Sequence, residues 1–200
     1  MAHSLDTYIG IDQSVGGFGL VFLTPGSGLF SAFVEKFPLA KYDGKEMWQL
    51  DAVENFIIEK LARFPERIKS VAREGFSYGS QQGREKAGAL AYAVDRTLYG
   101  WLAEPACYPI VIQPTTVKKF ATNNGGATKD EMVAAVEEHW HVELSDHNAA
   151  DAYVLSRIAY GLDTDIVETD YQAEVLEDIR NPTKKTKKKR PKKLSVLTSV

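Results

Sequence analysis

The sequence predicts an α/β domain with a mixed sheet, three antiparallel strands followed by parallel strands, flanked by helices. Two observations carry this. The first 37 residues hold three short apolar stretches joined by turn residues, which reads as a meander. Beyond them, stretches of helical periodicity alternate with short apolar, β-branched runs, the mark of parallel crossovers.

Tyr8–Asp12 is an apolar stretch ending in an acid; Gly16 and Gly17 make a turn, and Phe18–Leu23 returns as the second strand. Residues 29–37, LFSAFVEKF, alternate well enough for a third. Met47–Phe64 places Leu50, Val53, Phe56, Ile57 and Leu61 at helical spacing. Arg67–Arg73, with Ile68 and Val71, is a short strand running up to Glu74. Arg84–Leu102 is Ala-rich and periodic, hence a helix; Pro109–Ile112 is a strand. Thr115–Phe120 is a short helix and Asn123–Ala127 a Gly-rich loop. Lys129–His139 is a helix capped by Thr128, with acids in its first turn. Ser145 or Asp146 caps a last helix running to about Tyr160 and ended by Gly161. The domain therefore spans residues 1–162, and residues 163–200, polar and acidic and then Lys-rich, are expected to be a mobile extension.

A chain of 200 residues with 44% hydrophobic and 26% charged residues has the composition of a soluble globular protein. Its longest apolar runs, such as Phe18–Leu23, fall far short of the ~20 residues a spanning helix needs, so no membrane association is expected. The N-terminus has neither a basic nor an apolar signal region, so a cytoplasmic location is expected. Cys107 is the single cysteine; it excludes an internal disulfide and a zinc cluster, and a buried packing role suits it. The net charge of −3 hides an asymmetry. Residues 184–193, KKTKKKRPKK, carry seven Lys and one Arg, leaving 16 basic against 27 acidic residues elsewhere. An acidic body with a basic tag suggests a polyanionic partner reached through the tail, although a solvated charge run reads the same way.

Three carboxylates close predicted elements within apolar neighbours: Asp12 in YIGID, Glu74 in SVAREGF and Asp151 in NAADAYVL. Each alone reads as a turn acid, the partner of Arg73 or a nearby Lys, or a first-turn helix acid. Together they pose a common difficulty. A carboxylate beside a core strand is costly to ionise unless a positive charge meets it, and a hard cation with oxygen ligands does so.

In their order these segments resemble the RuvC family of Holliday-junction resolvases, which have a ribonuclease H-like fold. The resemblance runs through IGIDQSVGGFGLVF, VAREGFSYGS, GREKAGALAYAVDRTL, QPTTVKKFATNNGGATKDEMV and DHNAADAYVLSRIAYG, over residues 7–161. No one motif is specific; the ordered set is. Its tight motifs and Lys-rich tail look like a bacteriophage version, which would act in the bacterial host's cytoplasm.

The resemblance implies a structure-selective endodeoxyribonuclease acting in DNA recombination and repair, leaving 5′-phosphate and 3′-hydroxyl ends. The family's metal-binding acids fall on Asp12, Glu74 and Asp151, which would hold two Mg²⁺ per site, with Mn²⁺ as a substitute, and no small-molecule cofactor. The family's fourth ligand, usually Asp or His, falls on Asn148, which offers oxygen but no charge. Asp146 is the next choice, with helix capping as its ordinary role, and His147 follows, on the same helical face as Asp151. Lys118 or Lys119, and Lys129, match lysines near the scissile phosphate, with surface solubility as the plainer reading. Phe76 and Tyr78 would stack on unpaired bases, or else pack a loop. Branched DNA is the expected partner. Its two-fold symmetry implies a homodimer, with Ala87, Gly88, Ala91 and Ala93 either at its interface or packing inside one subunit. Two rivals stand beside this reading: a non-catalytic branched-DNA-binding protein on the same fold, and a fragment of an actin-like kinase. The second lacks the further nucleotide motifs and the length such kinases need.

Overall fold

The computed structural model describes residues 6–64, 67–75 and 84–182. Three strands, β1 (Thr7–Asp12), β2 (Phe18–Thr24) and β3 (Leu29–Glu35), form the antiparallel meander. Helix α1 (Glu46–Leu61) leads to β4 (Ile68–Glu74), and α2 (Arg84–Trp101) leads to β5 (Ile110–Ile112). Four helices follow: α3 (Pro114–Thr122), α4 (Lys129–Trp140), α5 (His147–Thr164) and α6 (Asp170–Arg180). The sheet order is β3-β2-β1-β4-β5, with β4 parallel to β1 and β5 parallel to β4.

The central strand β1 is buried along its whole length, because helices cover both faces of the sheet. Pleating sends alternate side chains to opposite faces. Tyr8, Val21, Leu23, Ala72 and Ile112 join a core with residues of α3, α4, α5 and α6. Ile9, Ile11, Phe18, Leu20, Phe22 and Val71 join a second core with residues of α1 and α2. The fold is thus three layers with the sheet in the middle.

Helix starts follow local chemistry. Thr128 caps α4 in a reciprocal capping box with Glu131. Asp146 caps α5 by accepting hydrogen bonds from the amides of Asn148 and Ala149. Helix ends depart from expectation at one position. Gly161 does not end α5, which runs on to Thr164; a Cβ there would stand 2.7 Å from Leu176 Cδ1, so the glycine lets α6 pack closely.

The expected mobile extension is also corrected in part. Residues 170–180 form α6, an amphipathic helix that buries Val175 and Leu176 against the body. Tyr171 Oη donates to Ala121 O at 3.1 Å, and Arg180 pairs with Asp165 at 2.7 Å. The acidic look of this stretch comes from its solvent face, which conceals a buried stripe. The Lys-rich run lies outside the described residues. Cys107 is buried, as a packing residue would be.

Candidate active site

Asp12 ends β1 and Glu74 ends β4, and the parallel register pairs Ile11 with Arg73, so the two acids follow at neighbouring strand ends. By alternation they fall on the face shared with Tyr8 and Ala72, which is the face α5 covers. Asp151 lies in the second turn of α5.

Glycines set how closely that helix approaches. A Cβ on Gly10 would stand 1.8 Å from the carbonyl oxygen of Ala152, and one on Gly19 would stand 2.3 Å from that of Asn148. Only a bare backbone fits at such distances, so the α5 backbone lies directly on β1 and β2. The contact at Ala152 holds its neighbour Asp151 beside the strand ends.

The three acids share one electrostatic environment. Burial raises the Asp12 carboxyl to about 9, helped by the negative charges of Glu74 and Asp151 and by a hydrogen bond shared with Glu74; Lys129 opposes the rise. Glu74 is raised to about 7 by burial and then by Asp151, against the shared hydrogen bond with Asp12 and the charge of Lys118. Asp151 is raised by burial, with Lys118, Lys129 and His147 pulling the other way.

These neighbours sort the sequence-expected cations. Lys118 and Lys129 act on the acids, whereas Lys119 lines a cavity between β5, α3 and α6 together with Val175 and Asp178. Adjacent residues on a helix point about 100° apart, which separates Lys118 from Lys119. Arg73, a possible partner for Glu74 by sequence, points to the opposite face. It is buried and binds Asp95 of α2 through two hydrogen bonds, Nε to Oδ1 at 2.7 Å and Nη2 to Oδ2 at 2.8 Å. The pair braces β4 against α2 and leaves Glu74 facing the other acids.

The fourth-ligand candidates sit at the start of α5. Asp146 Oδ1 accepts from the Asn148 amide at 2.8 Å and from Asn148 Nδ2 at 3.1 Å. Asn148 also lies against the hairpin turn, where a Cβ on Gly17 would meet its Nδ2 at 2.4 Å. His147 differs from both: its Nδ1 is buried without a hydrogen-bond partner, and its Nε2 stands 3.9 Å from Asp130. Phe76 and Tyr78 lie outside the described residues.

The donor set suits a hard divalent cation. It is made of carboxylate oxygens, none in an ion pair with a Lys or Arg among the described residues, and burial together with mutual repulsion favours the uncharged form of Asp12 and Glu74. Among the described residues no group of three or more His, Cys, Asp or Glu side chains is arranged to hold a metal ion.

A five-stranded mixed sheet in this order, helices on both faces, and acids at two central strand ends and on the covering helix define a ribonuclease H-like fold of the RuvC kind. Among solved structures the chain is similar to Thermus thermophilus RuvC, at 21% identity and a TM-score of 0.57, over 75% of this chain and 90% of that one. It is also similar to T. thermophilus RuvC in complex with a Holliday junction substrate, at 21% identity and a TM-score of 0.59, over 76% and 90%. No protein-family model and no curated protein matches the sequence.

Proposed function

We propose that this protein is a divalent-metal-dependent endodeoxyribonuclease of the RuvC type that cuts branched DNA, four-way junctions foremost. The observation that carries the reading is the meeting of Asp12, Glu74 and Asp151, from β1, β4 and α5, with Lys118 and Lys129 beside them. The likeness to a solved RuvC bound to a Holliday junction supports the choice of substrate.

Asp12, Glu74 and Asp151 would hold Mg²⁺, with Mn²⁺ able to replace it. A metal held there would supply activation of a water and charge neutralisation for phosphodiester hydrolysis, with 5′-phosphate and 3′-hydroxyl ends as the expected products. Asp12, coupled to both other acids, would be central to holding the metal. Lys118 and Lys129 would hold the scissile phosphate and offset the charge that grows on it. The fourth donor comes from the start of α5. Asp146 and Asn148 are engaged with each other there, and the unpartnered Nδ1 of His147 favours the histidine.

Cutting both strands of a two-fold junction needs two such sites in one assembly, hence a homodimer. Of the small residues on α2, Ala91 and Ala93 are buried within the subunit. The outward face carries Tyr92 and Tyr99, with Tyr108 beside them, and this aromatic face is the one we assign to the partner copy.

The test is cleavage of an end-labelled four-way junction with Mg²⁺, beside forks, flaps and plain duplex, with product ends mapped. Cutting by the native protein that is lost in Asp12→Asn supports the reading. Tight junction binding without cutting would instead favour a non-catalytic junction-binding protein on the same fold.

A further inference from the structure

Glu74 stands at a strand end with little to hold it. On the β1 side the ladder of β4 ends at the Ile11–Arg73 pair, one residue short of Glu74. On the other side it runs through Glu74–Ile112, and the Gly75 amide donates to Ile112 O at 2.7 Å. That neighbour, β5, is an edge strand of three residues. A strand end held from one side by so short an edge opens easily, whereas a ligand to a cation has to be held to about half an ångström.

Arg73 supplies the missing anchor. Its guanidinium is buried on the α2 face, where Nε and Nη2 grip the two oxygens of Asp95. The third nitrogen, Nη1, donates to the carbonyl oxygen of Glu74 at 3.3 Å. The bidentate pair fixes the plane of the guanidinium, and that plane aims Nη1 at the Glu74 main chain. The cation that acts on the Glu74 carboxyl is Lys118, so the hold of Arg73 is on the backbone. Asp95 is partly exposed, which keeps the outer end of the pair hydrated while its inner end is dry.

We propose that Arg73, set by Asp95, is a positioning residue for the nuclease reaction: it pins the Glu74 backbone at the end of β4 and so holds the Glu74 side chain among the acids where a cation binds. This rests on the nuclease reading above and goes beyond it, because it gives the sheet face turned away from the acids a part in metal binding. A pair that only braced α2 against β4 would show in stability alone.

The experiment uses the full chain, titrated with Mg²⁺ by calorimetry without DNA, melted in EDTA and assayed on a four-way junction. Asp95→Leu strands the buried guanidinium and should lower the Tm by roughly 5–15 °C. Adding Arg73→Met removes the stranded charge, and the double variant should regain most of that Tm, since an apolar pair can replace a buried ion pair at little cost. Its Mg²⁺ affinity should still lie roughly 10–100-fold below native, because nothing then holds the Glu74 carbonyl. At limiting Mg²⁺ its kcat should fall while KM for the junction stays within about twofold, because no DNA contact is lost. Arg73→Lys keeps the charge, but one nitrogen cannot span Asp95 and the Glu74 carbonyl together. It should bind Mg²⁺ about threefold or more weakly at a Tm near native, and it decides the matter if the double variant does not fold. Native Mg²⁺ affinity in the refolded double variant, or in Arg73→Lys, overturns the positioning role and leaves a brace. A native protein that neither binds Mg²⁺ nor cuts branched DNA removes the nuclease reading and this inference with it; one that does both, with variants that bind Mg²⁺ equally well, removes this inference alone.

Discussion

Replacing Asp12 by Asn should make the metal-free protein more stable while abolishing its chemistry. The Asp12 carboxyl is raised from 3.8 in an unperturbed chain to about 9 in the fold, by burial first and by Glu74 and Asp151 next. A carboxyl that binds its proton more tightly folded than unfolded contributes fully to stability below the unfolded value. That contribution is lost as pH rises from about 4 to about 9. At pH 7 about three pH units of that window have been crossed, at about 1.4 kcal/mol each, so the ceiling is about 4 kcal/mol. Part of it is shared with Glu74, which leaves roughly 2–4 kcal/mol. Asn keeps the size and carries no charge, so the variant should melt roughly 5–15 °C higher at pH 7 in EDTA. The assay is thermal unfolding followed by circular dichroism, from pH 4 to pH 9. The difference should vanish near pH 4 and widen as the pH rises. Added Mg²⁺ should then raise the Tm of the native protein and leave the variant unmoved. An Asp12→Asn variant no more stable than the native protein at pH 8 without metal would refute the shared acidic pocket.

Lys118→Ala should lower kcat on a four-way junction by roughly 10²–10³-fold, and Lys119→Ala by about twofold or less, because of these two neighbours Lys118 alone acts on the acids. Equal losses in steady-state cleavage would contradict that assignment. Gly10→Ala should cost at least about 3 kcal/mol in chemical denaturation, since its Cβ would meet backbone at 1.8 Å and only a shift of α5 could relieve it. The same variant should bind Mg²⁺ more weakly, because that shift carries Asp151 away from Asp12. His147→Ala should weaken Mg²⁺ binding by roughly 10–100-fold in calorimetric titration, with Asn148→Ala closer to native; the reverse order would return the fourth donor to Asn148.

Much was legible in the sequence because it is local. The apolar runs of β1 and β2, the periodicity of α1 and the Thr128–Glu131 capping box of α4 are each set by residues within a few positions of one another. Asp12, Glu74 and Asp151 stood out because each closes an apolar element, and the order of the motifs around them pointed to one family. Gly10, inside a buried strand, was a readable sign of close backbone approach that the motif reading passed over.

The tertiary structure decided what depends on orientation between distant segments. The pleat turns Arg73 to Asp95 and leaves Glu74 facing the acids, about 100° of rotation on α3 separates Lys118 from Lys119, and the pairing of α5 with α6 uses Gly161 as a contact instead of a stop. Sequence by itself determined which residue types stand at the ends of which elements. Only packing could decide which face each one points to, because a rotation of about 100° per helical residue, or of 180° per strand residue, is resolved by partners tens of positions away.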